Sequence, residues 1–216
     1  MAACSKLGES GAPVAIEFLV PIPAAVDIGD TIQLRARVLD TGGDSIAATI
    51  RWLISDNTVG VDSVTGRFWG DSLGTGHVQP VSGSLLGLVV PFSVRARADT
   101  LIIPTIAESI RVKVDSDSVS VPLAPVVAKV DTVVTNVADQ GLTFTLVAPT
   151  KPGIRLNGNV LSRTVASGSN GQPASPVRVR SAGASPGDTA FVQVDARRPS
   201  GAILSGSGQR ILVFFQ

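Results

Sequence analysis

The sequence predicts an all-β chain built as two tandem β-sandwich domains, and three observations predict it. Its 216 residues include 22 Gly and 14 Pro, which punctuate the chain too often for long helices. Apolar residues recur at alternate positions over short runs, a period that turns one face of a strand toward a core. The runs follow one another at intervals of about ten residues, the spacing of strands in a sandwich. Val, Ile, Leu and Thr carry them and Tyr is absent, so the cores are aliphatic. The length suits two domains of roughly 100 residues each. The boundaries read as a polar tether over 1–13, a first domain over 14–103 and a second over 104–216.

Val14 to Pro23 reads as a first strand with Ile16, Phe18 and Val20 on one face, ended by Pro21 and Pro23. Thr31 to Asp40 alternates, with Ile32, Leu34, Ala36 and Val38 inward and Gln33, Arg35 and Arg37 outward. Asp40 to Asp44 is a turn, and Ala48, Ile50 and Trp52 share a face of the next strand. The chain turns at Ser55-Asp56, alternates through Val59 and Val61 into Asp62, and turns again at Thr65-Gly66. Gly74-Thr75-Gly76 forms a further turn that opens a strand carrying His77 and ending at Pro80.

The stretch from Leu85 to Phe92, LLGLVVPF, is the most apolar run of the first half. It falls well short of the roughly 20 residues a bilayer-spanning helix needs. Leu88, Val90, Phe92, Val94 and Ala96 form its core face, and Ser93, Arg95 and Arg97 the outer one. Leu85 and Leu86 belong to the preceding hairpin. They either fold back over the open end of the sandwich or form an exposed apolar tip for a partner or a membrane.

Val26 to Leu34 (VDIGDTIQL), Trp52 with Ser55-Asp56, Val59 to Asp62 (VGVD), Thr65-Gly66 and Gly74-Thr75-Gly76 stand in an order that resembles the bacterial immunoglobulin-like group 2 repeat. The likeness covers about the first hundred residues. It implies an immunoglobulin-like sandwich and a location outside the cytoplasm. The only cysteine is Cys4, so the inter-sheet disulfide of antibody domains has no counterpart, and Trp52 fills that space alone.

The second half repeats the strand pattern without the Trp-Ser-Asp signature. Ser109 to Val114, Ser118 to Val121, Val126 to Val130, Pro176 to Arg180 and Asp188 to Asp195 read as strands, and Leu142, Phe144 and Leu146 as a core face. Gly187-Asp188-Thr189 echoes Gly29-Asp30-Thr31, while Gly153 to Pro176, rich in Gly, Ser, Asn and Pro, reads as long hairpin loops. The whole is therefore expected to be two tandem immunoglobulin-like β-sandwich domains, the second by pattern alone.

Ala2-Ala3-Cys4-Ser5 resembles the end of a bacterial lipoprotein signal, which would make Cys4 a lipid attachment site. Met1 stands where a Leu is usual, and no basic start or apolar run precedes it. Either the sequence begins inside a longer precursor or the match is chance.

Catalysis fails by inventory. The single His, His77, lies in a strand, and no Gly-x-Ser-x-Gly elbow is present. The carboxylate pairs Asp115/Asp117 and Asp40/Asp44 fall in turn sequence, where short acidic side chains cap backbone N–H groups. The sequence thus predicts no catalytic residue, no cofactor and no metal. Charge is uneven. Residues 1–103 hold seven Lys/Arg against ten Asp/Glu, and 104–216 hold eleven against seven. The positive excess suits anionic headgroups or an acidic partner, or simply solvates the strands. Nucleic acid is excluded, because no aromatic residues interleave the arginines.

The strand Arg210 to Gln216 is apolar on both faces, Ile211, Val213 and Phe215 on one and Leu212 and Phe214 on the other. Its second face is covered either by the loop from Gly153 to Pro176 or by a neighbouring protein. In the latter case Leu212 and Phe214 are contact residues with a basic rim of Arg197, Arg198 and Arg210. Two functions follow as expectations: a non-catalytic accessory subunit of a membrane-associated assembly on the periplasmic or outer face of a bacterial envelope, or a surface adhesin or carbohydrate-binding module.

Overall fold

The computed structural model describes residues 11–19, 23–105, 108–114, 118–149 and 151–216. Among these the chain is almost entirely strand, turn and coil, and no helix is long and apolar enough to cross a membrane. It divides into two compact units, Met1–Arg95 and Ala96–Gln216. Each is an immunoglobulin-like β-sandwich with its own core.

The first unit holds β1 (Pro13–Phe18), β2 (Ala25–Asp27), β3 (Thr31–Gln33), β4 (Ala36–Asp40), β5 (Ser45–Ile46) and β6 (Arg51–Ile54). It continues with β7 (Val59–Val61), β8 (Arg67–Gly70), β9 (Gly74–Ser82), β10 (Leu85–Leu86) and β11 (Val90–Arg95). One sheet runs β10-β9-β11-β2, with β6 on the other edge of β9; two three-stranded sheets, β1-β4-β5 and β3-β8-β7, complete it. The expected strand Thr31 to Asp40 is split in two. Its first part pairs with β8 and its second with β1 and β5, and Leu34 bridges the switch, its N–H donating to the Gly66 carbonyl at 3.0 Å.

Trp52 is 4% exposed and packs with Val26, Leu34, Val59, Phe68, Val78, Phe92 and Val94. Phe18 packs against it at a tilt of 56°, with ring centroids 5.5 Å apart. The close approach of Gly66 is what lets the indole lie there: a Cβ would sit 2.6 Å from Trp52 Nε1, and φ is +74°. The turn read at Asp40 to Asp44 is present, Asp40 Oδ1 accepting the N–H groups of Gly42 and Asp44 at 2.9 and 3.0 Å. Gly74-Thr75-Gly76 is not a turn. These residues open β9 and pair with Phe92, Ser93 and Val94, and a side chain at Gly76 would run into Val59. Nor does the strand stop at Pro80, which is buried opposite Trp52 with β9 continuing to Ser82.

The second unit holds β12 (Thr100–Ile102), β13 (Ser109–Val112), β14 (Val126–Val130), β15 (Val134–Asn136) and β16 (Gly141–Val147). It ends with β17 (Arg155–Leu156), β18 (Ser162–Ala166), β19 (Val179–Arg180), β20 (Thr189–Arg197) and β21 (Gln209–Phe215). A five-stranded sheet, β13-β21-β20-β16-β18, faces the sheets β12-β14-β15 and β17-β19 across a core centred on Phe144, Leu142, Val192, Val213 and Phe215, all 0% exposed.

The boundary expected at 103 is corrected. Ala98, Leu101 and Ile103 are buried in the second core, β12 pairs with β14, and Leu101 N–H donates to the Ser205 carbonyl at 2.8 Å. No Gly- or Ser-rich linker marks the crossing, so composition gave no sign of it. The segment 153–176 is also corrected. It contributes β18 to the large sheet and buries Ile154 and Leu156 completely, because its few apolar residues fall where the sheets meet. Ser118 to Val121 makes only a single bridge, Val119 with Arg180. Gly29 and Gly187 both take positive φ, +77° and +94°, and each stands two residues ahead of a strand that opens on a Thr, β3 at Thr31 and β20 at Thr189. The echo is one of strand entry as well as of turn chemistry.

Candidate functional site

The C-terminal strand β21 is not an edge. It lies between β13, parallel to it, and β20, antiparallel. Alternation sends Ile211, Val213 and Phe215 into the core at 0% exposure and turns Arg210, Leu212 and Phe214 to the outer face. On that face Leu212 stands opposite Phe191 of β20, and Phe214 opposite Arg111 of β13. Phe191 and Phe214 are 37% and 38% exposed. Three large apolar side chains thus adjoin on the solvent side of two central strands, where polar residues are the rule.

Phe191 is a member that the sequence reading missed. The signal was available. Ala190, Val192, Val194 and Ala196 alternate inward along β20, and Phe191 is the apolar exception among Thr189, Gln193 and Asp195. Around the cluster, Arg111 Nη1 donates to Gln216 Oε1 at 3.2 Å, and Gln193 Nε2 to Asp195 Oδ2 at 3.0 Å. Farther across the sheet the face becomes hydroxylic, with Thr143 and Thr164 paired at 3.0 Å and Thr145 and Ser162 at 3.3 Å.

Two expectations about this face fail. The segment 153–176 extends the sheet at its edge through β18 instead of covering its outer face. Arg197 and Arg198 do not rim the cluster, since they lie at the opposite end of β20 from Phe191, roughly 20 Å along the strand. Arg198 holds the Ala98 carbonyl at 2.7 Å and Asp99 Oδ1 at 3.3 Å, and Arg197 the Gly201 carbonyl at 3.3 Å. Arg210 does flank Leu212, and Arg111 takes the place expected of the other two. The basic excess of this half is largely structural. Arg155, Arg163 and Arg178 each donate to a carbonyl of their own unit, those of Ile154, Asn157 and Ser120.

In the first unit Leu85 and Leu86 form the short return strand β10 against Val81 and Ser82, and Leu86 is 61% exposed. Leu88, expected to face the core, is 73% exposed. The reason lies at Gly87, whose N–H donates to the Pro80 carbonyl at 2.8 Å and whose missing Cβ leaves room for Pro80 and Ile16. The chain crosses so close to β9 there that the next side chain turns outward. Of the pair, Leu85 is half-buried and Leu86 stands out into solvent.

His77 serves a turn. Asp56 accepts the backbone N–H groups of Thr58 and His77 at 3.2 and 3.0 Å, and its Oδ2 lies 3.1 Å from His77 Nδ1. Burial pushes the Asp56 carboxyl up, but these bonds together outweigh it and hold the group below the ordinary carboxylate range. The Thr65 and Val64 N–H groups do the same for Asp62. A depressed folded pKa gives stability that is present above the unfolded value, about 4, and lost as pH falls through the folded value. Asp56→Asn is therefore expected to destabilise the first unit at neutral pH, with the gap to wild type narrowing as pH falls below the ordinary carboxylate range, about 4. Urea midpoints measured across that range check this; a gap independent of pH would rule out the carboxylate as its source.

Among the described residues no three His, Cys, Asp or Glu side chains converge as a metal site would require. Cys4 and the pair Asp115/Asp117 lie outside the described residues.

No protein-family model matches the sequence, and no curated protein matches it. Solved structures do. The Yersinia pseudotuberculosis adhesin InvE is similar at 13% identity and a TM-score of 0.43, over 90% of this chain and 57% of that one. Fibronectin(III)-like modules of Clostridium thermocellum CbhA are similar at 11% identity and a TM-score of 0.43, over 93% and 94%. Domains 4–9 of the surface layer protein SbsC are similar at 16% identity and a TM-score of 0.36, over 95% and 32%. The chain thus spans little more than half of the adhesin and a third of the surface layer fragment. These are likenesses of β-sandwich fold.

Proposed function

We propose that this chain is a non-catalytic accessory module on the periplasmic or outer face of a bacterial envelope. Its second unit docks onto a protein subunit of a membrane-associated assembly through the face centred on Phe191, Leu212 and Phe214. The carrying observation is that cluster itself, three large apolar side chains adjoining on the outer side of two strands that are paired along both edges. Leaving them in water forfeits about 25 cal/mol for each Å² that a partner would cover. An apolar centre beside Arg111 and Arg210 suits a partner surface with an apolar patch edged by carboxylates. The motif at Cys4 supports attachment through a lipid.

The double variant Leu212→Ser/Phe214→Ser tests this reading in protein recovered from gently solubilised native envelopes. The expected result is loss of the subunit that co-purifies with wild type, with the melting temperature of the isolated protein unchanged. Unaltered association, or a melting temperature lower by several degrees, places the face inside the fold and overturns the docking role. In the same preparation the N-terminal peptide carries diacylglycerol on Cys4 if the anchor is real; an unmodified Met1 removes it.

A further inference from the structure

The face of the β3-β8-β7 sheet turned away from the first core carries Trp69, which nothing above uses. Phe68, its neighbour on β8, points inward at 0% exposure, so Trp69 points out. Across the strand pair it stands opposite Gly60, and on its other side opposite Thr31. The indole lies on the bare backbone of Gly60. A Cβ there would collide with Trp69 Cε2, Cζ2 and Nε1, and Gly60 is buried although it sits on an outer face. The ring is also fixed in orientation, because Nε1 donates to Asp71 Oδ1 at 2.9 Å. One face of the ring is thus given to Gly60, and the exposed part of this half-buried side chain belongs to the opposite face.

The surroundings of that platform are polar. Arg67 of β8 and Asp71, just past its end, flank Trp69, Thr31 stands beside it, and Gln33 and Asp62 lie in the next row, level with Arg67. Arg67, Asp71, Thr31, Gln33 and Asp62 are all exposed. Gln33 Nε2 donates to the Thr65 carbonyl, Asp62 Oδ1 caps its own turn and Asp71 Oδ1 holds the indole, so what remains for a ligand around this rigid aromatic surface is the Arg67 guanidinium, the Thr31 hydroxyl, the Gln33 amide oxygen and the second Asp71 carboxylate oxygen.

We propose that this face binds a neutral glycan, with the C–H face of one pyranose ring stacked on Trp69 and its hydroxyls meeting the surrounding polar groups. Three features select that class. A pyranose presents an apolar face and a polar rim, which matches an indole framed by hydrogen-bonding side chains. Anionic ligands are disfavoured, since two carboxylates oppose one guanidinium around the ring. Capture of an organic cation by an aromatic cage needs further rings, and the adjacent Phe68 faces the core. The sheet is open, not pocketed, so it suits an internal unit of a chain better than a terminal sugar. This inference concerns the first unit and stands or falls apart from the docking face of the second.

The protein contains two tryptophans, so a ¹⁵N-labelled full chain shows two indole N–H signals, and Trp69→Phe identifies which is which. Gluco-, manno-, xylo- and N-acetylglucosamine oligosaccharides are titrated in turn, with dextran sulfate as the polyanionic control. The expected result is a saturable shift of the Trp69 indole signal with at least one neutral oligosaccharide, while the Trp52 signal stays in place. A Trp69 signal unmoved by every neutral oligosaccharide overturns the proposal. So does a shift that dextran sulfate reproduces, or one that the two indoles share.

Discussion

Trp52→Ala is expected to cost about 3–5 kcal/mol and to unfold the first unit. The indole is 4% exposed and closely surrounded: the Phe18 ring packs against it at a tilt, Pro80 lies opposite on the neighbouring strand, and Gly66 is left without a side chain so that it can fit. Truncation leaves a cavity the size of an indole in a small cluster of mostly Val side chains. Valine is stiff at χ1 and cannot swing in to fill it. No disulfide is available to hold the sheets together while the core is incomplete. Denaturant unfolding of the variant checks this, and a loss below about 1 kcal/mol would contradict so central a role.

Gly206→Ala is expected to cost roughly 2–4 kcal/mol in the second unit, although it adds one methyl group. Gly206 has φ +81°, which an alanine adopts only with strain, and its Cβ would fall on the Leu101 carbonyl oxygen. That oxygen belongs to β12, the strand that carries the start of the second unit. Moving it disturbs the bond from Leu101 N–H to Ser205 and the contact of Thr100 Oγ1 with the same carbonyl, 2.8 and 3.2 Å. The nearby Gly208, also at positive φ but with open space beside it, is the control. Its replacement by Ala is expected to show the backbone strain without the collision, so the difference between the two melting temperatures measures the clash alone.

Much of the fold was legible because alternation reports burial directly. Leu142, Phe144 and Leu146 were expected inward and are 0%, 0% and 6% exposed; Trp52, Phe92 and Val94 also fell where their spacing put them. What alternation cannot report is which sheet a strand joins. Thr31 to Asp40 keeps one period throughout yet changes partners near Leu34. The boundary was misplaced for a related reason, since Leu101 is as apolar in one core as in the other. Glycine misled in both directions. At Gly74 and Gly76 it was taken for turn chemistry, whereas both lie within a strand and a tight contact with Val59 requires the second. At Gly87 its role in turning Leu88 outward has no signature in the local pattern.

The candidate sites were half visible. Leu212 and Phe214 stood out because a strand apolar on both faces breaks the rule of alternation, and Phe191 breaks it less conspicuously on the neighbouring strand. Arg197 and Arg198 were placed beside them by sequence proximity to the C-terminal strand, a measure that antiparallel pairing reverses. Trp69 passed unnoticed because its meaning depends on Gly60, a residue on another strand whose want of a side chain becomes informative only once the two are seen face to face.

The position of β21 between β13 and β20 has a kinetic corollary. During synthesis, residues 109–197 emerge first, yet the sheet they belong to lacks the strand that joins β13 to β20 until residues 209–215 follow. Until then β13 and β20 present open edges toward one another, and the apolar side chains that Ile211, Val213 and Phe215 will cover stand uncovered. Parallel pairing of β13 with β21 joins residues about a hundred positions apart in the chain, the kind of contact whose loop-closure cost slows folding. The second unit should therefore close in one late step. The stretch from Gln209 to Phe215 is the one whose arrival completes the sheet.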